Sequence, residues 1–413
     1  MSAPTRPVAA AAPWAASLFS YGVTGTNGKT SSCAFIAACL RAAGRDVLRV
    51  GTTGAFHNER ELPKGSSFAD FLALIEGVAA QGVRDLVIEA TSFALHNGYA
   101  KKWRFDLGVF TNLSPDHLKT HGTWENYLAA KAQLFLHLGP GHAMVLNAAD
   151  RHALFIDRAT PSDVRRLWFR APSRGEALVA ADLEAAAVTV DRHGTQLRLA
   201  PSPLAEALGG ALRVRMIGEI FAENALAAAA ACLANDVPAE AVVRGLAECP
   251  VEPGRFELLA HAPMVVVDYA HSPDALARTC ATARTLAQAG TPAGRVVLVF
   301  GAGGDATPEK RAPMGAIAAR VADHVVVTND NPRREDPQHI AAMIVHGARS
   351  ISGGATLEVV LDRREAIERA IAGAARHDVV VIAGMGHEQG QRIGDTVLPF
   401  SDRDEVLRIT GGA

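Results

Sequence analysis

The stretch Gly22-Val23-Thr24-Gly25-Thr26-Asn27-Gly28-Lys29-Thr30 constrains this chain more than any other nine residues. It separates an apolar run, LFSYGV, from an Ala-rich segment of helical texture. A glycine-rich turn between a strand and a helix gathers backbone N–H groups at a helix N-terminus, where an anion is favoured. Lys29 adds a point charge, and the Thr30 hydroxyl can bind Mg²⁺. The strict G-x4-GK[ST] spacing is missed at one position, because Val23 stands where it asks for glycine. Strand, Gly-Lys-Thr and helix start nevertheless coincide, so a bare turn is the weaker explanation. Gly25, Thr26, Asn27, Gly28, Lys29 and Thr30 are read as a phosphate-binding loop.

Such a loop sits on a parallel sheet, and the rest of the chain has that texture. DVLRVGT, DLVIEA, DLGVFTN and HAMVLN read as short buried strands, each followed by a turn and a helix or loop. This alternation implies a parallel sheet with helices on its faces. Between about Ala177 and Leu212, AAVTVDRHGTQLRLA alternates around a His-Gly turn and predicts a hairpin at the edge of the first domain. Two helices follow, AENALAAAAACLAND and AEAVVRGLAEC. CPVEPGRFE marks a boundary near Val251, after which MVVVDYA, RVVLVFGA, HVVVTN, LEVVL and DVVVIAG restart the alternation. The expected architecture is α/β in two domains. A lead-in (1–17) precedes a phosphate-loop domain (18–250), and a Rossmann-like α/β domain (251–413) follows.

Composition removes several function classes. Lys+Arg number 41 and Asp+Glu 43, a formal net charge of −2, so there is no electrostatic case for a nucleic-acid or anionic-membrane partner. With 49% hydrophobic and 20% charged residues the chain is globular rather than disordered. No run of eighteen apolar residues lacks a charge or a breaker, so no transmembrane span is expected. The opening MSAPTRPVAAAAPWAASLF has a single Arg6 and is broken by Pro13, and it reads as an Ala/Pro-rich lead-in rather than an export signal. Cys33, Cys39, Cys232, Cys249 and Cys280 are scattered and never form a CxxC pair, which suits a reducing cytoplasm.

Other candidate residues are weaker when taken singly. Glu89 ends DLVIE, at the carboxyl end of a strand where open α/β sheets bind ligands, and a carboxylate there can hold a metal. Alone, it is better explained as a solvated strand-end acid. Asp116 and His117 follow another strand end, TNLSPDH. His117 and His121 are four residues apart, without a third ligand or an HExxH pattern, and such a pair is more often structural. Lys131, on the amphipathic ENYLAAKAQLF, reads alone as a surface lysine.

Taken in order, TGTNGKT, the Glu89 strand end, TNLSPDHLKTHGTWENYLAAKAQLF, NALAA, PGRFE, DYAHSPDAL, FGAGGD and TNDNPRREDP form a collectively specific set. The chain from about Tyr21 to Ser401 resembles the ATP-dependent Mur ligase family. It is most similar to the branch that adds the third, diamino-acid residue of the peptidoglycan stem peptide. The resemblance also accounts for the missed glycine, since the family's loop is TGTNGK[ST].

The resemblance implies an ADP-forming ligase. ATP phosphorylates a substrate carboxylate, and an amine then attacks the acyl phosphate. By that similarity Lys29 and Thr30 hold the phosphates and one Mg²⁺, with Glu89 as a further ligand, while His117 and Lys131 hold a second Mg²⁺. The family's matching lysine is carbamylated, which turns a cation into a hard oxygen ligand. Asn224 is implied to contact adenine, Arg255 the phosphates and Asp268 the ribose. Asp330, Asn331 and Arg333 resemble the motif that holds meso-diaminopimelate, with Arg333 the natural bidentate partner of a carboxylate. Gly386 and Glu388 resemble the same enzymes' GKGHE loop, whose acid takes a distal ammonium. The implied partners are a small carboxylic acid and an amino acid. Nothing in the sequence sets an oligomeric state.

Four departures bear on substrate. The phosphate loop begins almost at residue 20, so the family's UDP-binding N-terminal domain is expected to be missing. Phe93 takes a histidine position in Glu-Ala-Thr-Ser-Phe-Ala-Leu, and Tyr99 the position of an arginine that holds the peptide carboxylate. Ala306 replaces an arginine after Asp305, and Phe221 an asparagine three residues before Asn224. The expectation is an acid–amino-acid ligase whose donor is not a UDP-muramyl peptide. The rival enzyme readings are a folylpolyglutamate-synthase-like or an amidating ligase. A dinucleotide dehydrogenase is weak, since FGAGGD lacks GxGxxG. From another class, a nucleotide-binding scaffold without turnover stays open on Ala306 and Phe221.

Overall fold

The computed structural model describes residues 13–114 and 118–411. Two compact units divide it, and the main change from one to the other falls between Pro250 and Val251.

Eleven strands form the first unit's sheet. They are β1 (Phe19–Thr24), β2 (Val47–Gly51), β3 (Gly54–His57), β4 (Arg60–Leu62), β5 (Asp85–Glu89), β6 (Leu107–Phe110), β7 (Ala143–Asn147), β8 (Arg165–Arg170), β9 (Leu183–Asp191), β10 (Gly194–Leu199) and β11 (Ala211–Val214). Their order is β11-β10-β9-β8-β7-β6-β1-β5-β2-β3-β4. Every pairing from β9 through to β2 is parallel. β5, β6 and β7 are buried along their whole length, as continuous apolar runs are when helices cover both faces of a sheet. The sheet is finished antiparallel at both ends, by β3 and β4 on one side and by the β10–β11 pair on the other. The predicted β9–β10 hairpin therefore lies one strand in from the edge, which belongs to β11.

The Ala-rich helix Glu219–Ala234 is buried from Phe221 to Cys232. Small side chains let such a helix lie between other layers at close range. The neighbouring helix Ala239–Glu248 meets the helix Lys29–Ala42 backbone to backbone. A Cβ on Gly245 would stand 2.5 Å from Cys39 Cα. All five cysteines are free and buried.

The second unit has a six-stranded sheet, β12 (Glu257–His261), β13 (Met264–Asp268), β14 (Val296–Phe300), β15 (His324–Val327), β16 (Thr356–Val359) and β17 (Val379–Ala383), in the order β12-β13-β17-β14-β15-β16. Only β12 is antiparallel to its neighbour. Val265, Val267, Val297, Val299, Val380 and Ile382 meet the helix Arg363–Ala372 in one core. A small antiparallel pair, β18 (Gly390–Ile393) and β19 (Thr396–Pro399), follows. Among the described residues no helix is long and apolar enough to cross a membrane.

Candidate active site

β1 delivers the chain to Gly25, whose φ is +151° and whose missing side chain matters. A Cβ there would lie 1.9 Å from Thr111 Oγ1. The loop is braced from the end of β6. Asn27 N–H donates to Asn112 Oδ1 at 2.9 Å, while Thr111 Oγ1 and Asn112 Nδ2 donate to the Asn27 carbonyl at 2.7 and 3.0 Å. Gly28, at φ +86°, caps the helix Lys29–Ala42. A left-handed residue there costs glycine nothing. This turns the loop into the helix start and leaves the first N–H groups facing the space an anion would fill.

A Cβ on Gly28 would stand 2.2 Å from Asn224 Oδ1. Asn224 is buried, and its Oδ1 has no hydrogen-bond partner. Strain and overlap together make Gly28→Ala costly by about 1–3 kcal/mol. Nucleotide titration should show ADP binding weakened at least about fivefold. Unaltered binding would contradict the contact.

Lys29 Nζ donates to the carbonyls of Gly25 (3.1 Å) and Thr26 (2.8 Å) and lies 4.0 Å from Glu89 Oε1. Glu89 is not the solvated acid that its position alone suggested. It is buried, and its Oε2 accepts from Thr30 Oγ1 (3.2 Å), Thr52 N (3.1 Å) and Thr52 Oγ1 (3.0 Å). Lys131 likewise is no surface lysine. Thr123 caps the helix Trp124–Leu136, which carries Lys131 at 1% exposure beneath the loop. There Lys131 Nζ donates to the Gly25 carbonyl at 2.7 Å and sits 4.5 Å from the Tyr127 ring centre. Tyr127 Oη in turn is 3.2 Å from Thr26 Oγ1.

Asp116 and His117 lie outside the described residues. His121 packs internally, with Nε2 3.1 Å from Ser92 Oγ and its ring beside His96 and Tyr127. Burial, then the charges of His96 and Lys131, push its pKa down.

Thr30 and Glu89 offer hard oxygens side by side, which fit one Mg²⁺ completed by phosphate oxygens and water. Lys131 as an ammonium does not fit a second cation. It would do so only as a carbamate. No cluster of three or more His, Cys, Asp or Glu suited to a metal occurs among the described residues.

Phe93 is 65% exposed on the short helix Ser92–His96, while Tyr99 is turned edge-on to Phe68 at 4.9 Å. Phe221 is buried in the helix Glu219–Ala234. Glu223 in the same helix accepts from Ser173 Oγ and Arg174 Nε, both at 2.8 Å, contacts that no sequence signal announced.

In the second unit Asp268 ends β13 and accepts from Thr279 Oγ1 (2.8 Å) and Phe256 N (2.7 Å). Loss of water raises its pKa against the pull of these bonds. The Arg255 guanidinium lies 4.7 Å from the Tyr269 ring centre. Glu388 joins Asp330 and Asn331 although it lies 57 residues beyond Asn331. Asp330 Oδ1 accepts from Asn331 N at 2.6 Å, and Asn331 Nδ2 donates to Glu388 Oε2 at 2.7 Å. Burial, and then the charge of Asp330, raise the Glu388 pKa against the Asn331 bond. Arg333 has φ +54°, and its Nη1 donates to the Gly304 carbonyl at 3.0 Å. Gly386 fits where a Cβ would meet Tyr269 Cβ at 2.7 Å.

Two further arginines were not legible in the sequence. Arg311 pairs with Glu335 at 2.8 Å and donates to the Gly303 carbonyl at 3.2 Å, holding the loop in which Ala306 lies. Arg363 donates to both oxygens of Asp402 at 2.7 Å and to the carbonyls of Asn329 and Ala383.

A phosphate loop at the head of a parallel sheet, followed by a second α/β unit with its own acid-and-arginine cluster, defines a phosphate-loop nucleotide-binding enzyme. A Mur ligase middle-domain model matches residues 23–232, and a Mur ligase glutamate ligase domain model matches residues 254–386. The UDP-N-acetylmuramoyl-L-alanyl-D-glutamate–2,6-diaminopimelate ligase of Geobacillus kaustophilus is 36% identical over 399 residues, covering 92% of this chain and 76% of that one. Its Ralstonia nicotianae counterpart is 38% identical over 395 residues, 93% of this chain and 74% of that one. A solved structure of a ligase of the same name superposes with a TM-score of 0.65 at 32% identity, over 95% of this chain and 78% of that one. A Mycobacterium tuberculosis folylpolyglutamate synthase shares the fold, with a TM-score of 0.68 at 21% identity over 90% of this chain and 89% of that one. The chain belongs to the Mur ligase family, the ATP-dependent enzymes that join an acid to an amino acid.

Proposed function

We propose that this ligase activates a small carboxylic acid as an acyl phosphate and couples it to an amino acid that carries its own carboxylate and a second ammonium. The observation that carries the reading is the convergence of Lys29, Thr30 and Glu89 at one helix N-terminus. The donor carboxylate oxygen takes the γ-phosphoryl group of ATP and ADP leaves. The amine then displaces phosphate, losing a proton as the amide forms. Lys29 and the loop N–H groups stabilise charge on the transferred group, and positioning supplies most of the acceleration. Mg²⁺, held by Thr30 and Glu89, would neutralise phosphate charge. A second Mg²⁺ would be held by His117 and by Lys131, the latter only if its amine had taken up CO₂ and released a proton to give a carbamate oxygen. Asn224, beside Gly28 in the same unit, contacts the adenine.

On the amine side, Arg333 takes the amino acid's carboxylate, while Asp330, Asn331 and Glu388 with Gly386 take its distal ammonium. The relatives' names specify 2,6-diaminopimelate as their amine, and the Asp330–Asn331–Glu388 cluster suits such a molecule here. The donor is read differently. Phe93 presents an apolar ring, and Tyr99 is engaged with Phe68, where a cation for a second donor carboxylate would be needed. This favours an acid other than a UDP-muramyl peptide.

The test is ADP release across a panel of acids and amino acids, meso-diaminopimelate included. Release that requires both an acid and an amine supports the reading. ATP binding without ADP release across the panel would favour a nucleotide-binding scaffold. Arg333→Ala should raise the amine KM roughly 10–100-fold with little change in the ATP KM, because a bidentate carboxylate contact is lost. An unchanged amine KM would remove Arg333 from the site.

A further inference from the structure

We infer that Thr52, in the turn between β2 and β3, is the positioning residue that fixes which oxygen of Glu89 meets the nucleotide's divalent cation. The inference rests on the proposed Mg²⁺–nucleotide site. Glu89 Oε2 accepts three hydrogen bonds, from Thr30 Oγ1 at 3.2 Å, Thr52 N at 3.1 Å and Thr52 Oγ1 at 3.0 Å. A carboxylate oxygen so engaged has little capacity left for a cation, whereas Oε1, 4.0 Å from Lys29 Nζ, is the oxygen on the phosphate side.

Thr30 alone does not fix this orientation. A hydroxyl that donates its proton to Glu89 can still accept at its oxygen, but one donor restrains rotation of the carboxyl group less than three do. The two donors of Thr52 come from a different element and stop that rotation. Outer partners of this kind orient metal-binding carboxylates and tune their affinity.

The turn that carries Thr52 is itself fitted to Glu89. A Cβ on Gly51 would come 2.9 Å from Oε2, so a side chain there would press against that oxygen. Lys64 Nζ hydrogen-bonds the Gly51 carbonyl from the other side. Thr52 is exposed, so its side chain is held by the carboxylate and not by surrounding packing.

The test measures ADP binding by calorimetry at rising Mg²⁺ with the full chain. Thr52→Val removes the hydroxyl at constant shape and keeps the N–H. The half-saturating Mg²⁺ concentration should rise roughly three- to tenfold, with unchanged ADP binding in EDTA and an unchanged melting temperature without ligand. Thr52→Ser should restore the wild-type response. Gly51→Ala, which crowds the same oxygen from the backbone side, should shift the Mg²⁺ response in the same direction. It keeps the test decisive if Thr52→Val does not fold. A wild-type response in Thr52→Val, or a Thr52→Ser protein that behaves like Thr52→Val, overturns the inference alone. A wild type whose ADP binding ignores Mg²⁺ overturns the nucleotide site and this inference together.

Discussion

Lys29→Met should lower ADP formation by at least about a thousandfold, with the fold retained and ADP binding weakened far less. Removing one preorganised donor from a developing oxyanion typically costs a factor of about a hundred to a thousand in kcat, and here the donor is a full charge. The ammonium is tethered by the Gly25 and Thr26 carbonyls, so at the proposed phosphate position it has little reorganisation left to do. Single-turnover kinetics separates the two effects. Chemistry should fail while the nucleotide Kd moves modestly. A mutant that keeps a tenth of wild-type turnover would place the charge-neutralising group elsewhere.

Arg363→Ala should destabilise the second unit by about 3–5 kcal/mol. Arg363 and Asp402 are both fully shielded from water, and removing the guanidinium leaves Asp402 a buried charge without its partner. Burial alone would depress the Arg363 pKa, but Asp402's charge and hydrogen bonds outweigh it and raise it. The same guanidinium feels the charges of Asp330 and Glu388, so the proposed amine site should loosen together with the fold. Urea denaturation with separate probes in each unit checks this. Arg363→Met combined with Asp402→Leu should recover much of the loss, because a well-packed apolar pair avoids the stranded charge. Equal stability of Arg363→Ala and wild type would contradict the role assigned to the pair.

Much of the architecture is legible because buried parallel strands announce themselves as unbroken apolar runs. DLVIE, AMVLN and VVVIA are each buried from end to end. Two of the strands that sequence reading passed over are of another kind. β4 is three residues, Arg60–Leu62, with its first two exposed, and β19 is exposed throughout. Neither has a period to read. The phosphate loop is legible because Gly25 and Gly28 occupy conformations and contacts that admit no side chain. Lys131 is not, because an amphipathic pattern counts a lysine as outward. Here a capped helix and the Gly25 carbonyl turn it in. Thr52 and Arg363 are silent for a different reason. Threonine in a turn and arginine in a helix are ordinary, and their partners lie 37 and 39 residues further along.

The way the large sheet ends has a consequence for the protein's life in a crowded solution. A sheet edge is a row of unmatched amide groups that can recruit a strand from another molecule. Here the terminal strand at one side is the three-residue β4, bearing exposed Arg60 and Glu61. At the other side it is the four-residue β11, which turns Arg213 outward. Short, charge-bearing edges give an incoming strand little to copy and require it to bury ions. The long parallel centre, in which each strand waits on a distant segment to pair, thus matures between two ends that discourage self-templated growth.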